Sequence, residues 1–297
     1  MAHKGLRGRA KPRKSSTVVN KKRKEKKGHI SKRDFNRAIK AGRVPKPSAP
    51  VAPRAAKKVA APAPGAEEAP RRTRKEARAA AALERQHQSL YEGQRVLLVG
   101  EGNFSFARAL CRVLGTGSNV IATCLDDEAT LQKKYEDAGD ARKEIEESLG
   151  GTTLVGVDAT RLHKVKEFRR GFGRIVWNFP HLGGGESDVE RSVVQHQKLL
   201  ADFFGSAAKC LLDDSRAQIH VALKEGEPYK SWKIVQVVRA ACPDLDLLTV
   251  VPFATAAWEG YAHRRTQGFE GGISRDDSQE LAKGAKVYVF GRRKTQS

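Results

Sequence analysis

Acidic and aromatic residues are scarce at the start of this sequence, and their scarcity divides the chain into two parts. Residues 1–90 hold 27 of the 56 Lys and Arg but only 6 of the 34 Asp and Glu, so they carry +21 of the net charge of +22. A segment so poor in large apolar side chains cannot bury enough surface to offset its chain entropy. We therefore predict a disordered basic arm and linker over 1–90 and one folded domain over 91–297.

Cysteine pairs and long apolar runs are also lacking. The sequence has four cysteines and no Cys-x-x-Cys pair, which argues against a zinc ribbon or a redox motif, and we predict no metal site. No apolar run approaches the roughly 18 residues of a membrane span, and no apolar stretch follows the first basic residues as in a secretory signal. We expect reduced core thiols in an intracellular protein that makes no membrane contact.

The arm has its own internal pattern. It contains a dense basic cluster at Lys21–Lys27 and a Pro- and Ala-rich stretch at 47–70. Such clusters are typical of nuclear or nucleolar addresses and of nucleic-acid contacts, although a merely solubilising tail has the same composition. The Pro- and Ala-rich stretch predicts a semi-extended spacer, and residues 71–90, which lack a helix breaker, predict a helix leading into the domain.

After residue 90 short apolar runs alternate with amphipathic stretches. The runs that predict strands are 95–100, 119–125, 153–157, 174–178, 218–223, 245–251 and 286–290. The stretches that predict helices are 104–114, 128–149, 160–170, 188–209 and 232–241. This alternation predicts an α/β fold whose mostly parallel sheet is covered on both faces. The last two strands have no helix between them and predict an antiparallel hairpin, so the plan is a Rossmann-like, seven-stranded class I methyltransferase fold.

A glycine turn follows the first predicted strand, at the edge where doubly wound sheets bind ligands. Gly100 and Gly102 flank Glu101 and precede Asn103 and Phe104, and such a turn lets the backbone approach a ligand closely. A dinucleotide fingerprint would have a third glycine after Phe104, and a P-loop would have Gly-Lys-Ser/Thr. Neither is present, so the turn suits an uncharged or amino-acid-bearing cofactor, unless the glycines serve turn geometry alone.

Carboxylates follow the second and third predicted strands. Asp126, with Asp127 beside it, can accept both ribose hydroxyls of a nucleoside, and Asp158 can reach an adenine amino group. Each could instead cap the helix that follows it. Their recurrence after successive strands favours a nucleoside site.

The fourth predicted strand ends in Asn178-Phe179-Pro180-His181, and Gly183–Gly185 follow. Proline enforces an extended turn that presents the Asn178 amide to the pocket, where it can orient a nitrogen nucleophile. Phe179 can stack on a base. An Asn-Pro type of turn is common by itself, and its place after a strand is what makes it informative.

Aromatic and basic residues recur near the end of the chain. His263, Arg264 and Arg265 suit base stacking and phosphate contact, although a solvated basic turn has the same composition. Tyr229, after the fifth strand, can add an aromatic wall.

Taken together, several blocks resemble a known family. They are VGEGNFSFARAL at 99–110, Asp126, VDAT at 157–160, WNFPHLGGG at 177–185, GEPY at 226–229 and YAHRRTQG at 261–268. The combination resembles the eukaryotic 25S ribosomal RNA (uridine-N3)-methyltransferase-like family, over roughly residues 94–292. The resemblance implies S-adenosylmethionine as methyl donor and N3 of a uridine in large-subunit ribosomal RNA as acceptor. It also implies a pre-ribosomal partner in the nucleus and nucleolus, and we expect a monomer.

Site roles follow by position and by residue type. The expected cofactor-binding residues are Gly100, Gly102, Asn103, Phe104, Asp126 and Asp158. The expected catalytic residues are Asn178, Pro180 and His181, and the expected substrate contacts are Phe179, Tyr229, His263, Arg264 and Arg265. Family members often have a lone Asp where this chain has two, which leaves open whether Asp126 or Asp127 binds ribose.

Methylation of a uridine at N3 requires that the N3 proton be removed. The uridine N3–H is a weak acid, so its lone pair attacks only after the proton leaves, and the enzyme supplies positioning and a route for that proton. Our hypothesis is that Asn178 orients the uracil edge while His181, or a water it holds, accepts the proton. Two alternatives stay open: a methyltransferase of this fold acting on another RNA or protein nitrogen, and a non-catalytic rRNA-binding assembly factor.

Overall fold

The computed structural model describes residues 74–183, 188–266, 268, 281 and 284–293. These residues belong to one compact unit, Ala69–Ser297. The cluster Lys21–Lys27, the rest of the arm before residue 74, and Gly184 and Gly185 lie outside the described residues. The predicted disorder of the arm and the domain boundary at residue 90 therefore stay predictions.

Seven strands form a single sheet. They are β1 (Val96–Val99), β2 (Val120–Thr123), β3 (Thr152–Leu154), β4 (Arg174–Asn178), β5 (Gln218–Lys224), β6 (Leu245–Pro252) and β7 (Ala285–Arg292). Their order is β3-β2-β1-β4-β5-β7-β6, with β7 antiparallel to both of its neighbours and the other pairs parallel. The order reverses direction between β1 and β4, which makes the ends of those two strands the switch point where such sheets bind ligands.

Helices cover both faces of the sheet. They are α1 (Arg74–Tyr91), α2 (Ser105–Leu114), α3 (Glu128–Lys134), α4 (Ala138–Lys143), α5 (Val189–Ala207) and α6 (Ile234–Ala241). A single π turn, Glu144–Ser148, extends α4, and two 3₁₀ turns, Ala159–Lys164 and Lys166–Arg170, follow β3. Within the described ranges, no helix is long and apolar enough to cross a membrane.

The core consists of two layers that alternate along each strand. In β1, Leu97 and Val99 pack into a layer with α5 and α6, whereas Val96 and Leu98 pack into a layer with α2. All four side chains are almost fully buried. This period of two, with both faces apolar, is what a sheet covered on both sides requires.

The structure confirms all seven predicted strands, the closing antiparallel pair and the helix expected within 71–90. Two predicted helices differ. The stretch 128–149 breaks at Tyr135, whose extended backbone (φ −139°, ψ 99°) ends α3 and turns the ring inward. The stretch 160–170 forms 3₁₀ turns instead of an α-helix, because it is a short connection held by an Asp158 cap.

Candidate functional site

A cavity of about 570 Å³ opens at the carboxyl ends of β1, β2 and β4. Ten of the residues predicted from the sequence line it: Gly100, Gly102, Asn103, Asp126, Asp158, Asn178, Phe179, His181, His263 and Arg264. Its size lies in the range of pockets that bury a nucleoside-sized ligand. The sheet order therefore gathers into one site residues that are up to 164 positions apart, from Gly100 to Arg264.

The glycine turn forms the floor of this cavity. Gly100 has a positive φ of 66°, and a Cβ there would collide with Nε1 of Trp177. At Gly102 a Cβ would come within 3.3 Å of the Tyr135 ring. At both positions an aromatic side chain of the protein takes the space that a Cβ would need, so glycine fits best there and its backbone lines the cavity wall, where a ligand can approach it closely.

Asn103 and Phe104 have structural contacts of their own. Asn103 donates from Nδ2 to Asp137 (2.8 Å) and accepts from the backbone N–H of Ser105 (3.2 Å), and it still lines the cavity. The side chain of Phe104 is fully buried in the core and does not line the cavity. Only the backbone of Phe104, left-handed at φ 58°, shapes the entry into α2.

The two adjacent aspartates have different surroundings. Asp126 lines the cavity and pairs through Oδ1 with Nζ of Lys134 at 2.8 Å. Asp127 is exposed and caps α3 by accepting the backbone N–H of Thr130 at 2.8 Å, which lowers the pKa of its carboxyl. The helix cap therefore occupies Asp127 and leaves Asp126 facing the cavity.

An apolar wall lies beside Asp158. Leu125, two-thirds exposed, and the buried Val157 line the same cavity as Asp158. Oδ1 of Asp158 also accepts from the backbone and hydroxyl of Thr160, so this carboxylate is held in place by the turn it caps. A leucine left exposed inside a concave site suits a flat aromatic ligand, with a fixed carboxylate at its edge.

A smaller cavity of about 270 Å³ adjoins the first. It is lined by Phe179, Pro180, His181, Lys224, Tyr229, His263, Arg264, Arg265 and Thr266. Five of these residues also line the larger cavity: Phe179, His181, His263, Arg264 and Thr266. Every substrate contact predicted from the sequence is among its walls, and so are Pro180 and His181.

Phe179 stands where the two cavities meet. Its backbone is left-handed (φ 55°), and its N–H donates to the carbonyl of Ala222 at 2.9 Å. The ring makes edge contacts with Phe253 (5.0 Å between centroids) and His263 (4.8 Å). A strained backbone at a residue that is not glycine persists only when its surroundings impose it, and such strain is typical of functional turns.

Asn178 and His181 present different groups to the site. Nδ2 of Asn178 is buried and has no hydrogen-bond partner among the described residues. Nδ1 of His181 accepts the backbone N–H of Gly183 at 3.0 Å, and the ring lies edge-on to His196. Partial burial, followed by the charges of His196 and Lys224, lowers the pKa of His181, so the ring is neutral near pH 7.

Several cavity residues were missed from the sequence. Glu101 is buried, lines the larger cavity and accepts the backbone N–H of Ala107 through Oε2 at 3.1 Å. Burial raises its pKa to about 7. Its place between two glycines of a ligand turn was the available signal. Tyr135 and Lys224 carried none, because neither follows a recognisable motif.

No group of three or more His, Cys, Asp or Glu side chains in the described part of the chain is arranged to hold a metal ion. The four cysteines are buried and unpaired.

Comparison with known proteins gives one family and several relatives. Residues 97–265 match the profile of a family described as rRNA (uridine-N3-)-methyltransferase BTM5-like. The heavy metal-associated isoprenylated plant protein 41 of Arabidopsis thaliana is 35% identical over 177 residues, which cover 59% of this chain and 33% of that protein. The 25S rRNA (uridine(2634)-N(3))-methyltransferase of Saccharomyces cerevisiae is 27% identical over 253 residues, covering 66% of this chain and 72% of that one.

Among solved structures, a SAM dependent methyltransferase from Aquifex aeolicus aligns with a TM-score of 0.43 at 13% identity, over 72% of this chain and 89% of that one. The chain spans about a third of the length of the Arabidopsis protein. The family profile, by contrast, covers more than half of this chain and contains the glycine turn, Asp126, Asp158, the β4 turn and Arg264. The chain therefore belongs to the rRNA (uridine-N3-)-methyltransferase BTM5-like family.

Proposed function

We propose that this protein transfers a methyl group from S-adenosylmethionine to N3 of a uridine in large-subunit ribosomal RNA. The observation that carries the proposal is the pair of adjoining cavities that share Phe179 and His181 at the switch point of the sheet, in a chain of this family. A donor in one cavity and a base in the other would bring their reacting atoms together at the shared wall.

The larger cavity fits S-adenosylmethionine in shape and in chemistry. Gly100 and Gly102 line the cavity with backbone that the methionine part can approach closely, and Asp126 offers carboxylate oxygens for the ribose hydroxyls. Leu125 and Asp158 offer an apolar face and an acceptor for adenine. When bound, S-adenosylmethionine supplies an electrophilic methyl carbon on a sulfonium.

The smaller cavity fits a uridine and its flanking phosphates. Phe179 and Tyr229 are the aromatic surfaces for the base, and Arg264 and Arg265 are cations for the phosphates. Asn178 lines the larger cavity next to the shared Phe179, and its buried, unpartnered Nδ2 is a donor that a uracil carbonyl reaching the shared wall would satisfy. N3 lies on the pairing edge of uracil, so the target base must be unpaired or flipped out of its helix.

Two measurements test this function. Calorimetry with purified full-length protein should detect S-adenosylmethionine binding, and Asp126→Ala should weaken it. Ribosomal RNA from cells lacking the protein should lose one N3-methyluridine, which purified protein restores in vitro. Binding without methylation of any RNA or protein would favour the assembly-factor alternative, and a different lost nucleoside would favour another acceptor nitrogen.

We also propose that the protein acts as a monomer on the pre-ribosome in the nucleolus, with the basic arm as its address. The Lys21–Lys27 cluster supports this, because six of its seven residues are basic. Replacing those six with Ser or Gln should disperse a fluorescently tagged protein from nucleoli. Retained nucleolar signal would mean that RNA binding by the domain is sufficient.

A further inference from the structure

The smaller cavity has an unusual balance of charge. Its titratable walls are His181, Lys224, Tyr229, His263, Arg264 and Arg265. Among the described residues no Asp or Glu lines it. Positive charge from Lys224, Arg264 and Arg265 in the described walls stabilises a bound anion.

The hydrogen bond at His181 fixes which ring nitrogen carries a proton. A backbone N–H can only donate, so the contact from Gly183 makes Nδ1 of His181 an acceptor. The neutral ring then bears its proton on Nε2. Therefore His181 offers the cavity an N–H donor, whereas a general base would have to offer a free lone pair.

Lys224 adds a positive charge beside this donor. It ends β5, next to the end of β4 that carries Asn178, and it lines the cavity with His181. Its charge acts on the imidazole, because it contributes to lowering the pKa of His181. The two side chains thus line the same cavity.

Neighbouring charges have partners elsewhere. Arg264 lies 3.6 Å from Asp137. Glu225, next in the chain to Lys224, pairs with Lys286. His196, beside His181, shares a hydrogen bond with the carbonyl of Ser192 at Nδ1 (2.7 Å) and accepts from Leu182 at Nε2. None of these contacts supplies a free carboxylate near the base.

We propose that the smaller cavity binds the target uracil as its N3-deprotonated anion, held by Lys224 and by the Nε2–H of His181 against its carbonyl oxygens. The N3 proton leaves to solvent hydroxide or water, and His181 does not serve as its general base. The N3 lone pair then forms the new N–C bond while the methyl carbon–sulfur bond of S-adenosylmethionine breaks and its electron pair stays on sulfur. This inference rests on the proposed function.

The pH dependence of methyl transfer separates this mechanism from one with a His181 base. If the ionising group is the substrate, single-turnover rates should rise tenfold per pH unit up to the N3 pKa of the bound uracil. A transcript made with 5-fluorouridine has a more acidic N3–H, so its inflection should move to lower pH. A His181 base would give an inflection that stays in place when the base is changed.

Variants of Lys224 and His181 provide a second test. Lys224→Gln should move the inflection to higher pH, and Lys224→Arg should return it toward the wild-type position. His181→Gln keeps an N–H donor but cannot accept a proton near pH 7, so it should be faster than His181→Ala by about tenfold, the effect of one hydrogen bond of roughly 1.4 kcal/mol. S-adenosylmethionine affinity, measured by calorimetry, should be the same in the two Lys224 variants as in wild type, because Lys224 lines the smaller cavity and not the larger one.

The experiment uses in vitro transcripts of large-subunit ribosomal RNA, full-length protein and mass detection of N3-methyluridine. An inflection that moves with 5-fluorouridine and with Lys224→Gln supports the inference. The inference is overturned if the inflection stays at the same pH with the 5-fluorouridine transcript, or if His181→Gln and His181→Ala lower the rate equally. Either result leaves the proposed function intact. Failure of the wild-type protein to form N3-methyluridine at any pH overturns the proposed function, and the inference with it.

Discussion

Asp126 and Asp127 are neighbours in the chain, yet only Asp127 caps the helix that follows. We predict that Asp126→Ala weakens S-adenosylmethionine binding by about 1.5–3 kcal/mol, the usual value of hydrogen bonds to a charged group. Asp127→Ala is the matched control, since it removes a cap from α3 without removing a cavity side chain. Calorimetry that finds the larger loss in Asp127→Ala would move the ribose contact to that residue.

Ionisation of the buried Glu101 carboxyl lowers the free energy of unfolding of the ligand-free protein at neutral pH. Burial raises its pKa from 4.5 to about 7. Between those pH values the unfolded chain releases the proton while the native state keeps it, so the free energy of unfolding falls as pH rises. Above pH 7 the whole penalty is present, on the order of 3 kcal/mol.

Glu101→Gln should therefore stabilise the protein at pH 8, by roughly 1–3 kcal/mol, because glutamine keeps an acceptor for Ala107 without a charge. The gain over wild type should shrink as pH falls and vanish below about pH 4.5, the ordinary value for glutamate. Urea unfolding at several pH values measures it. Glu144→Gln is the contrasting control, since it breaks an ion pair with Arg112 and should destabilise at pH 8. A loss of stability in Glu101→Gln at pH 8 would contradict the buried-charge argument.

At the scale of elements, the strands were predictable and the helices partly so. The central strands β1, β4 and β5 are apolar runs with both faces buried, and such runs are visible without knowledge of their neighbours. The alternation of strands and helices predicted the class of sheet but not which strands pair. The insertion of β7 between β5 and β6 depends on pairing between segments that are far apart in the chain.

Connections and single site residues were harder to predict because distant contacts decide them. Tyr135 breaks the predicted helix and packs its ring against Gly102, and its hydroxyl donates to the carbonyl of Arg265, 130 residues away. Lys224 matters through its position beside β4, which sheet register determines. Phe104 was predicted to bind the cofactor, but its side chain lies in the core and does not line the cavity, because the left-handed turn points it inward.

The end of α1 is attached to the sheet by hydrogen bonds at Leu90, whose carbonyl accepts from Nε of Arg174 in β4 at 2.8 Å, and at Tyr91. The hydroxyl of Tyr91 lies 3.2 Å from Nδ1 of His220 in β5, and Nε2 of His220 meets Gln218 at 2.9 Å. Burial, followed by the charge of Arg174, lowers the pKa of His220 to about 3, so the ring is neutral and Nδ1 accepts the Tyr91 proton.

Tyr91→Phe should cost about 1–3 kcal/mol of unfolding free energy, because it leaves the buried Nδ1 of His220 without a donor. Ser89→Ala, two residues earlier and on the exposed side of the helix, removes a hydroxyl that donates to the carbonyl of Gln86 and should change stability by less than about 0.5 kcal/mol. Urea unfolding with unchanged m-values is the measurement. Equal effects of the two substitutions would mean that α1 docks without this bond.

On the scale of the whole molecule, most of the net positive charge and the residues that line the two cavities lie in different parts of the chain. Residues 1–73 hold 23 of the 56 Lys and Arg and 4 of the 34 Asp and Glu, whereas every cavity residue follows Val99. Association with RNA of any sequence depends on the number of phosphates neutralised, so it should follow the arm. Recognition of a particular base depends on pocket walls, so it should follow the domain.

Removing residues 1–73 should separate these two properties. Each phosphate contact contributes about 0.7 to the slope of log K against log salt for single strands, so loss of the arm should flatten that slope by several units. Affinity for S-adenosylmethionine should not change, because α1 and its Tyr91 contact with His220 are retained. One titration series with both proteins, the same RNA and several salt concentrations measures the slopes, and calorimetry measures the affinity for the cofactor.

An unchanged slope would place the phosphate contacts on the domain, near Arg264 and Arg265. Lost cofactor binding would mean that the domain begins before residue 74 and that the boundary predicted at residue 90 is wrong.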